Sequence, residues 1–349
     1  MSVTKSFTIG VSHDFAVDAK GHYEAAIEEI CAQHPSLQFE LMPFAEEDTP
    51  TAAQLDQYDG ILALATRLNR TNLTGLRRLA VVSRWGVGYD RIDTEALTDA
   101  GIMLAITPNA VRRPVAEAAI ALIFACSLKL VTQHKIVESG RWRSSLPGLG
   151  RNIAGRTLGS IGLGNIAGEM FRMSSSLGFG RMIATDPFAS AAAARKLGVE
   201  MVSLPDLFRE SDFLCVNCSL SAGTKGIVSR DMLKLMKRTA FLINTARGPL
   251  VDEAALTEAL REDWIAGAGL DVFETEPLPL DAPIRNCRNV ILAPHSLAWT
   301  EELARDNSRE SCANLLAIAQ GRLPGGIVNR DVIDHPLFQA KLEKGSFSR

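Results

Sequence analysis

The chain has 349 residues, 46% of them hydrophobic and 22% charged, with a formal net charge of −3. That length and composition suggest two domains of an ordinary globular protein, and the near-neutral balance offers no basic field for nucleic acid. The start, Met1-Ser-Val-Thr-Lys-Ser, lacks the apolar core of a signal peptide, and the most apolar stretch, Ala118 to Leu128, falls short of the ~20 residues a membrane span needs.

The first ~105 residues alternate strand and helix patterns. Phe7 to Val11 reads as a strand, Tyr23 to Cys31 as a helix, and Leu37 to Leu41 as an alternating strand. Gly60 to Leu64, Ala80 to Ser83 and Ile102 to Ile106 are three further strands, the last ended by Thr107-Pro108-Asn109. Alternation of this kind implies a parallel sheet with helices on both faces. One long helix is expected from about Val115 to Glu138, followed by a loop rich in Arg, Ser and Gly from Gly140 to Gly150.

Thr157 to Asp186 carries the clearest motif. A short apolar strand enters Gly162-Leu163-Gly164-Asn165-Ile166-Ala167, a helical pattern follows, and a second strand, Arg181 to Thr185, ends at Asp186. This is the strand, glycine turn, helix, strand and acid of a dinucleotide-binding unit. Gly162 permits the turn, Gly164 lets a pyrophosphate approach the backbone, and Ala167 allows close packing of helix on strand. The helix start, at Asn165 and Ile166, offers free N–H groups. Asp186 accepts from ribose hydroxyls and repels a 2′-phosphate, which favours NAD over NADP. Strands then recur at Leu214 to Val216, Ala240 to Asn244, Ala266 to Asp271 and Val290 to Ala293. A helix from Glu301 to Gly321 and a polar tail with Gly325 and Pro336 close the chain.

Because the dinucleotide unit opens near residue 155, a separate domain precedes it. The residues after ~300 are too few for a third domain, so the last helix is expected to pack on the first. The expected fold is α/β, with two Rossmann-like doubly wound parallel-sheet domains. The expected boundaries are 1–108 with 300–349 for the first, discontinuous domain and 109–299 for the NAD domain. Six cysteines are scattered among mostly apolar neighbours, which suits a reducing cytoplasm. Cys215 and Cys218 have metal-like spacing, yet residues three apart on a strand face opposite sides, and no second Cys/His pair lies nearby, so no metal is expected.

Three polar residues follow predicted strands, where open α/β sheets place ligands: Arg247, Glu276 and His295. An Arg can hold a carboxylate and carbonyl through two parallel hydrogen bonds. A His can exchange a proton with a hydroxyl or carbonyl oxygen. A Glu can accept from the other imidazole nitrogen and set the tautomer.

With their flanking segments these residues resemble the D-isomer-specific 2-hydroxyacid dehydrogenase family. The matching stretches are Arg84 to Asp93, Val115-Ala-Glu117, Thr157 to Ala167, Leu242 to Gly248, Gly267 to Pro277 and Pro294-His295 with Thr300. The resemblance implies that the first, discontinuous domain binds substrate, with an inserted NAD domain, a cleft between the domains and a homodimer joined through the NAD domains. It implies NAD as cofactor and a small 2-hydroxy or 2-oxo acid as substrate, with no nucleic-acid or membrane partner. By motif, Arg247 binds substrate, Glu276 pairs with the base and His295 is the acid–base residue. Thr245, Ala246 and Asp271 lie near the nicotinamide, and Asn217 lines the adenine side by its backbone. Substrate contacts are assigned to Ala65, Thr66 and Arg67, to Trp85, Gly86 and Val87, and to Trp299.

The chain departs from the family pattern at several points. Asn217-Cys-Ser-Leu220 stands where many members have His-x-Pro-Leu, and Trp85 and Trp299 add bulk at positions usually small. Ala63-Leu-Ala-Thr-Arg67 lacks the Arg-Ser of phosphoglycerate dehydrogenases, no regulatory domain is expected at the end, and Glu276 replaces the Gln of formate dehydrogenases. Phosphoglycerate and formate are therefore poor candidates. The rival readings are an NAD-sensing corepressor-like binding protein and a phosphite-type dehydrogenase on the same scaffold.

Overall fold

Among the described residues, nine of twelve strands are four or five residues long, and six of the twelve are buried along their whole length. That is why those six read as short continuous apolar runs, whereas the partly exposed Leu37–Leu41 alternates. A computed structural model describes residues 6–19 and 21–345. It divides into two compact units, Met1–Val111 with Thr300–Arg349 and Arg112–Trp299.

The first unit holds a parallel five-stranded sheet. Its strands are β1 (Phe7–Val11), β2 (Leu37–Leu41), β3 (Gly60–Ala63), β4 (Val81–Arg84) and β5 (Met103–Ala105), in the order β2-β1-β3-β4-β5. β3, β4 and β5 run through a core of Ile61, Leu62, Val82 and Leu104, each at 0% exposure. The helix Glu301–Ala319 packs on β3, β4 and the helix Glu24–Gln33. It starts at Thr300, whose hydroxyl accepts from Leu303 N–H at 3.1 Å and satisfies one orphan donor of the first turn. The residues expected as a polar tail instead form a 3₁₀ turn, Arg330–Asp334, and a helix, Pro336–Gly345. Pro336 opens that helix, where its missing N–H costs nothing. Lys341 anchors it by donating from Nζ to Ala100 O at 2.6 Å, and burial holds this ammonium down to about 8.

The second unit holds a parallel seven-stranded sheet in the order β12-β11-β10-β9-β6-β7-β8. The strands are β6 (Thr157–Ile161), β7 (Arg181–Thr185), β8 (Glu200–Met201), β9 (Phe213–Val216), β10 (Phe241–Asn244), β11 (Gly267–Leu270) and β12 (Val290–Leu292). Two parallel α/β sheets are thus present, as expected. The short edge strand β8 was not anticipated; two residues are too few to leave a periodic signal.

The single long helix is a second correction. Two helices occupy the segment, Pro108–Ser127 and Leu130–Glu138, bent by 59°. Lys129 sits between them at φ +54, a left-handed conformation that stops the ladder. The first helix also starts seven residues earlier than expected, despite Pro114. Its first turn is capped from a distant element: Glu310 accepts from Asn109 Nδ2 and from Ala110 N–H, both at 2.9 Å. No single described helix is long and apolar enough to cross a membrane.

Candidate active site

The end of β6 builds the dinucleotide turn. Gly162 has φ +95, and a Cβ added there would lie 2.9 Å from Cys218 N, so only glycine serves. Gly164 differs: an added Cβ would meet nothing within 4 Å. Gly164 is also the N-cap of the helix Asn165–Ser174 and makes no side-chain cap, so no side chain claims the N–H groups of the first turn, beginning at Asn165 and Ile166. Open space beside an uncapped helix start is what a pyrophosphate requires. Ala167 is fully buried in the cluster that also holds Leu158, Phe213 and Ile243.

Asp186, directly after β7, is held by backbone donors. Its Oδ2 accepts from Leu163 N–H at 2.8 Å, and its Oδ1 accepts from Phe188 N–H at 2.8 Å and Ala189 N–H at 3.2 Å. The acid and the glycine turn are therefore tied to each other, which fixes the carboxylate beside the turn. Asn217 donates from Nδ2 to Ser160 Oγ at 2.9 Å and from its backbone to Ile161 O at 2.8 Å. Together these residues fit a dinucleotide. The neighbouring thiols do not suit metal or redox chemistry, since burial pushes Cys215 up to about 12 and Cys218 up to about 11.

The carboxyl ends of β10, β11 and β12 bring Arg247, Glu276 and His295 into one linked set of loops. Asn244 closes β10 and is 1% exposed. Its Oδ1 accepts from Ala246 N–H at 3.0 Å and its Nδ2 donates to Arg247 O at 2.9 Å, so one amide clamps the turn Thr245–Arg247. Arg247 Nη1 donates to Ala246 O at 2.7 Å. The next residue, Gly248, sits against the peptide of the neighbouring loop: an added Cβ would come within 1.8 Å of the Phe273 carbonyl carbon. The arginine turn is thus seated on the glutamate loop.

Glu276 uses both carboxylate oxygens. Oε1 accepts from Phe273 N–H at 3.0 Å, and Oε2 lies 2.8 Å from His295 Nδ1. Burial works to raise its carboxyl, and the hydrogen bond to His295, the charges of His295 and Arg247 and the Phe273 N–H outweigh it, so Glu276 titrates below the usual carboxylate range. His295 itself has φ +56, a conformation that strains a non-glycine residue. Asp271 supports it. This buried carboxylate accepts from Ser296 N–H at 3.0 Å and Leu297 N–H at 3.3 Å, and burial pushes it up against those bonds. Glu276 and His295 thus form a carboxylate–imidazole couple able to exchange a proton, and the turn that carries Arg247 lies against the Glu276 loop.

Asn244 and the Phe273 N–H were not singled out from the sequence. The signal for Asn244 was available: a polar residue closing the apolar run Phe241-Leu-Ile is a buried polar group that must find partners.

The remaining predicted residues distribute as follows. Ala65, Thr66, Arg67, Trp85, Gly86 and Val87 lie in the first unit. Ala65 N–H donates to Asp14, and Arg67 N–H donates to Asp48 O at 2.8 Å. Gly86 N–H donates to Thr107 Oγ1 at 2.8 Å, while Val87 is half-buried. Trp85 has its ring buried within the first unit. The indole is 2% exposed, its Nε1 donates to Ser308 Oγ at 2.9 Å, and it packs edge-on to Phe15. Trp299, in the second unit, is 40% exposed.

Comparison with known proteins agrees with this geometry. The family model described as D-isomer specific 2-hydroxyacid dehydrogenase, NAD binding domain, matches residues 120–296. A glyoxylate reductase of Korarchaeum cryptofilum is 38% identical over 259 residues, 73% of this chain and 78% of that protein. One from Aeropyrum pernix is 38% identical over 282 residues, 79% of this chain and 84% of the relative. The crystal structure of a glyoxylate reductase from Paecilomyes thermophila superposes with a TM-score of 0.82 at 28% identity, covering 93% of this chain and 99% of that one. The chain belongs to the D-isomer-specific 2-hydroxyacid dehydrogenases, nicotinamide-dependent enzymes that move hydride between the cofactor and C2 of a 2-hydroxy or 2-oxo acid.

Proposed function

We propose that this enzyme prefers NADH and reduces a small 2-oxo acid, with glyoxylate the first substrate to test. The observation that carries the assignment of roles is the 2.8 Å contact between Glu276 Oε2 and His295 Nδ1. That contact commits Nδ1 to the carboxylate and reserves Nε2 for substrate. The bound reduced nicotinamide supplies hydride to C2. Arg247 holds the substrate carboxylate and carbonyl and offsets the negative charge that develops on the oxygen. Protonated His295 donates to that oxygen from Nε2, and Glu276 stabilises the imidazolium before the transfer. Asp271 keeps the His295 loop in its strained conformation by accepting from Ser296 and Leu297. Residues 1–111 and 300–349 serve as the substrate domain, with the loops Ala65–Arg67 and Trp85–Val87 offering contacts. The names of the curated relatives support the choice of glyoxylate. The tethered carboxylate of Asp186, followed by Pro187 and the exposed Phe188, supports NAD over NADP.

The enzyme is proposed to be a cytoplasmic homodimer that pairs through its NAD domain. All six cysteines carry free thiols, which suits a reducing compartment. Leu128, Leu130, Val137, Trp142 and Leu149 stand exposed on one sequence segment of that domain, which suits a covered face. A panel of 2-oxo acids with NADH and NADPH side by side tests the activity. Glyoxylate turnover no faster than that of the other acids overturns the substrate choice. Sedimentation velocity tests the dimer, and a monomer at micromolar concentration overturns it.

A further inference from the structure

We infer that Ser160, aimed by Asn217, is a positioning residue for the dinucleotide, acting through the one peptide that joins Gly162 to Leu163. Ser160 is fully buried, on a strand buried along its whole length. A hydroxyl there costs free energy unless it finds partners. Its partners lie in the cofactor turn. Ser160 Oγ donates to Gly162 O at 2.7 Å and accepts from Asn217 Nδ2 at 2.9 Å. A hydroxyl that accepts one hydrogen bond is polarised into a better donor for the next, so Asn217 both aims the Ser160 proton and strengthens its bond to Gly162. Asn217 is itself fixed: its N–H donates to Ile161 O at 2.8 Å, and its Nδ2 also lies 3.9 Å from Met170 Sδ. Asn217 opens the Asn-Cys-Ser-Leu segment at which the chain departs from the family pattern, so the pair is a feature of this chain rather than of the motif.

The peptide that Ser160 holds by one end is held by Asp186 at the other. Gly162 supplies its carbonyl, which accepts from Ser160, and Leu163 supplies its N–H, which donates to Asp186 Oδ2 at 2.8 Å. A peptide unit is planar, so its carbonyl and its N–H turn together. A hydroxyl on one side and a carboxylate on the other leave that plane one orientation. Gly162 alone imposes no such restraint, since at φ +95 it occupies the region where glycine is conformationally free. The plane leads directly into Gly164, where the open space and the uncapped helix start suit a pyrophosphate. Loss of the Ser160 hydroxyl frees the plane to turn. That loosens the approach to the helix start and the hold on Asp186 together. Because Ser160 is fully buried, it acts on the dinucleotide only through this peptide.

The inference needs the dinucleotide site alone and holds whichever 2-oxo acid is reduced, so binding without substrate tests it apart from the catalytic assignment. Calorimetric titration with ADP-ribose and fluorescence titration with NADH are run on wild type, Ser160→Ala, Asn217→Ala and the double variant. Ser160→Ala is expected to weaken both ligands about ten-fold, the range of one buried hydrogen bond left unmade. Asn217→Ala should weaken them several-fold, because Ser160 keeps its bond to Gly162 and loses only the group that aims it. The double variant should lose no more than Ser160→Ala, since the two residues act in series. In steady state the Ser160→Ala loss should fall more on KM for NADH than on kcat. A residue that only supports its strand would lower the melting temperature of the ligand-free enzyme and leave both affinities in place, and that result overturns the inference. Additive losses in the double variant, or a loss confined to kcat, overturn it too. If Ser160→Ala does not fold, Asn217→Ala decides alone, and unchanged ADP-ribose affinity there overturns the inference.

Discussion

The two units use the same architectural position differently. Both place polar residues at the carboxyl ends of a parallel sheet. In the second unit those residues are charged and interlocked: Asp271 holds the His295 loop, Glu276 holds the His295 ring, and Asn244 holds the arginine turn. In the first unit the end of β4 offers backbone groups and turns its large side chain, Trp85, inward, while Asp14 and Asp48 follow β1 and β2 without a comparable interlocked set among the described residues. Truncations in the first unit should therefore cost stability, and those in the second should cost turnover.

Trp85→Ala gives the largest expected effect. Its ring is 2% exposed, bonded to Ser308 and packed on Phe15. Stability should fall by about 3–5 kcal/mol, as for other buried aromatic truncations, with the ratio of kcat/KM between a larger and a smaller 2-oxo acid unchanged. Denaturant melts and that ratio check it. Trp299→Ala is the contrast, because that residue is 40% exposed in the second unit. It should shift the ratio and spare the melting temperature. The reverse pattern at either residue would erase the distinction between the units.

His295→Asn should lower turnover by at least ~10²-fold, the low end for a lost general acid. NADH affinity, read by fluorescence titration, should hold. Near-normal turnover would end the proposed mechanism. Arg247→Lys keeps the charge and loses the planar fork, so kcat/KM should fall by roughly ten-fold or more through both kcat and KM. Unchanged kinetics would mean that another cation, with Arg67 the first to test, holds the carboxylate. Asp186→Ala should narrow the NADH over NADPH preference without reversing it, since Pro187 and the 96% exposed Phe188 supply no cation for a 2′-phosphate. An unaltered ratio of kcat/KM would show that Asp186 does not meet the ribose.

The same contrast governs what could be read from the sequence. In the second unit the glycine turn, Asp186 and the Arg, Glu and His follow their strands closely, so position along the chain revealed position in space. In the first unit the determinants are tertiary. Glu310 caps a helix that starts 200 residues earlier, and Ser308 decides which way Trp85 faces. No local pattern carries either fact. The bend at Lys129 was missed for a related reason: apolar periodicity continues through it, and only one residue adopts the left-handed conformation. The closing helix Pro336–Gly345 is short, and beside the buried Phe338 a buried lysine anchors it where periodicity would look for leucine.

Glu276→Gln should give the smallest effect, and its sign is determined by the carboxylate. Glu276 titrates below the usual carboxylate range because the His295 bond, the nearby positive charges and the Phe273 N–H outweigh its burial. A depressed carboxyl contributes stability that is fully present above its unfolded value and is lost as pH falls through the folded one. Glu276 is thus charged across the whole neutral range, and its own titration shapes only the acid end. The amide removes that charge at every neutral pH and no longer favours imidazolium. Turnover in 2-oxo acid reduction should fall, because the amide gives the proton donor no carboxylate partner. The side chains of His295 and Glu276 are 45% and 37% exposed, so solvent screens the pair. An exposed pair is worth about 0.2–1 kcal/mol, which limits the loss to roughly five-fold. The stability gap between wild type and variant should close as pH falls below the carboxylate range. Unchanged turnover while the gap behaves this way would leave Glu276 as a support for the loop.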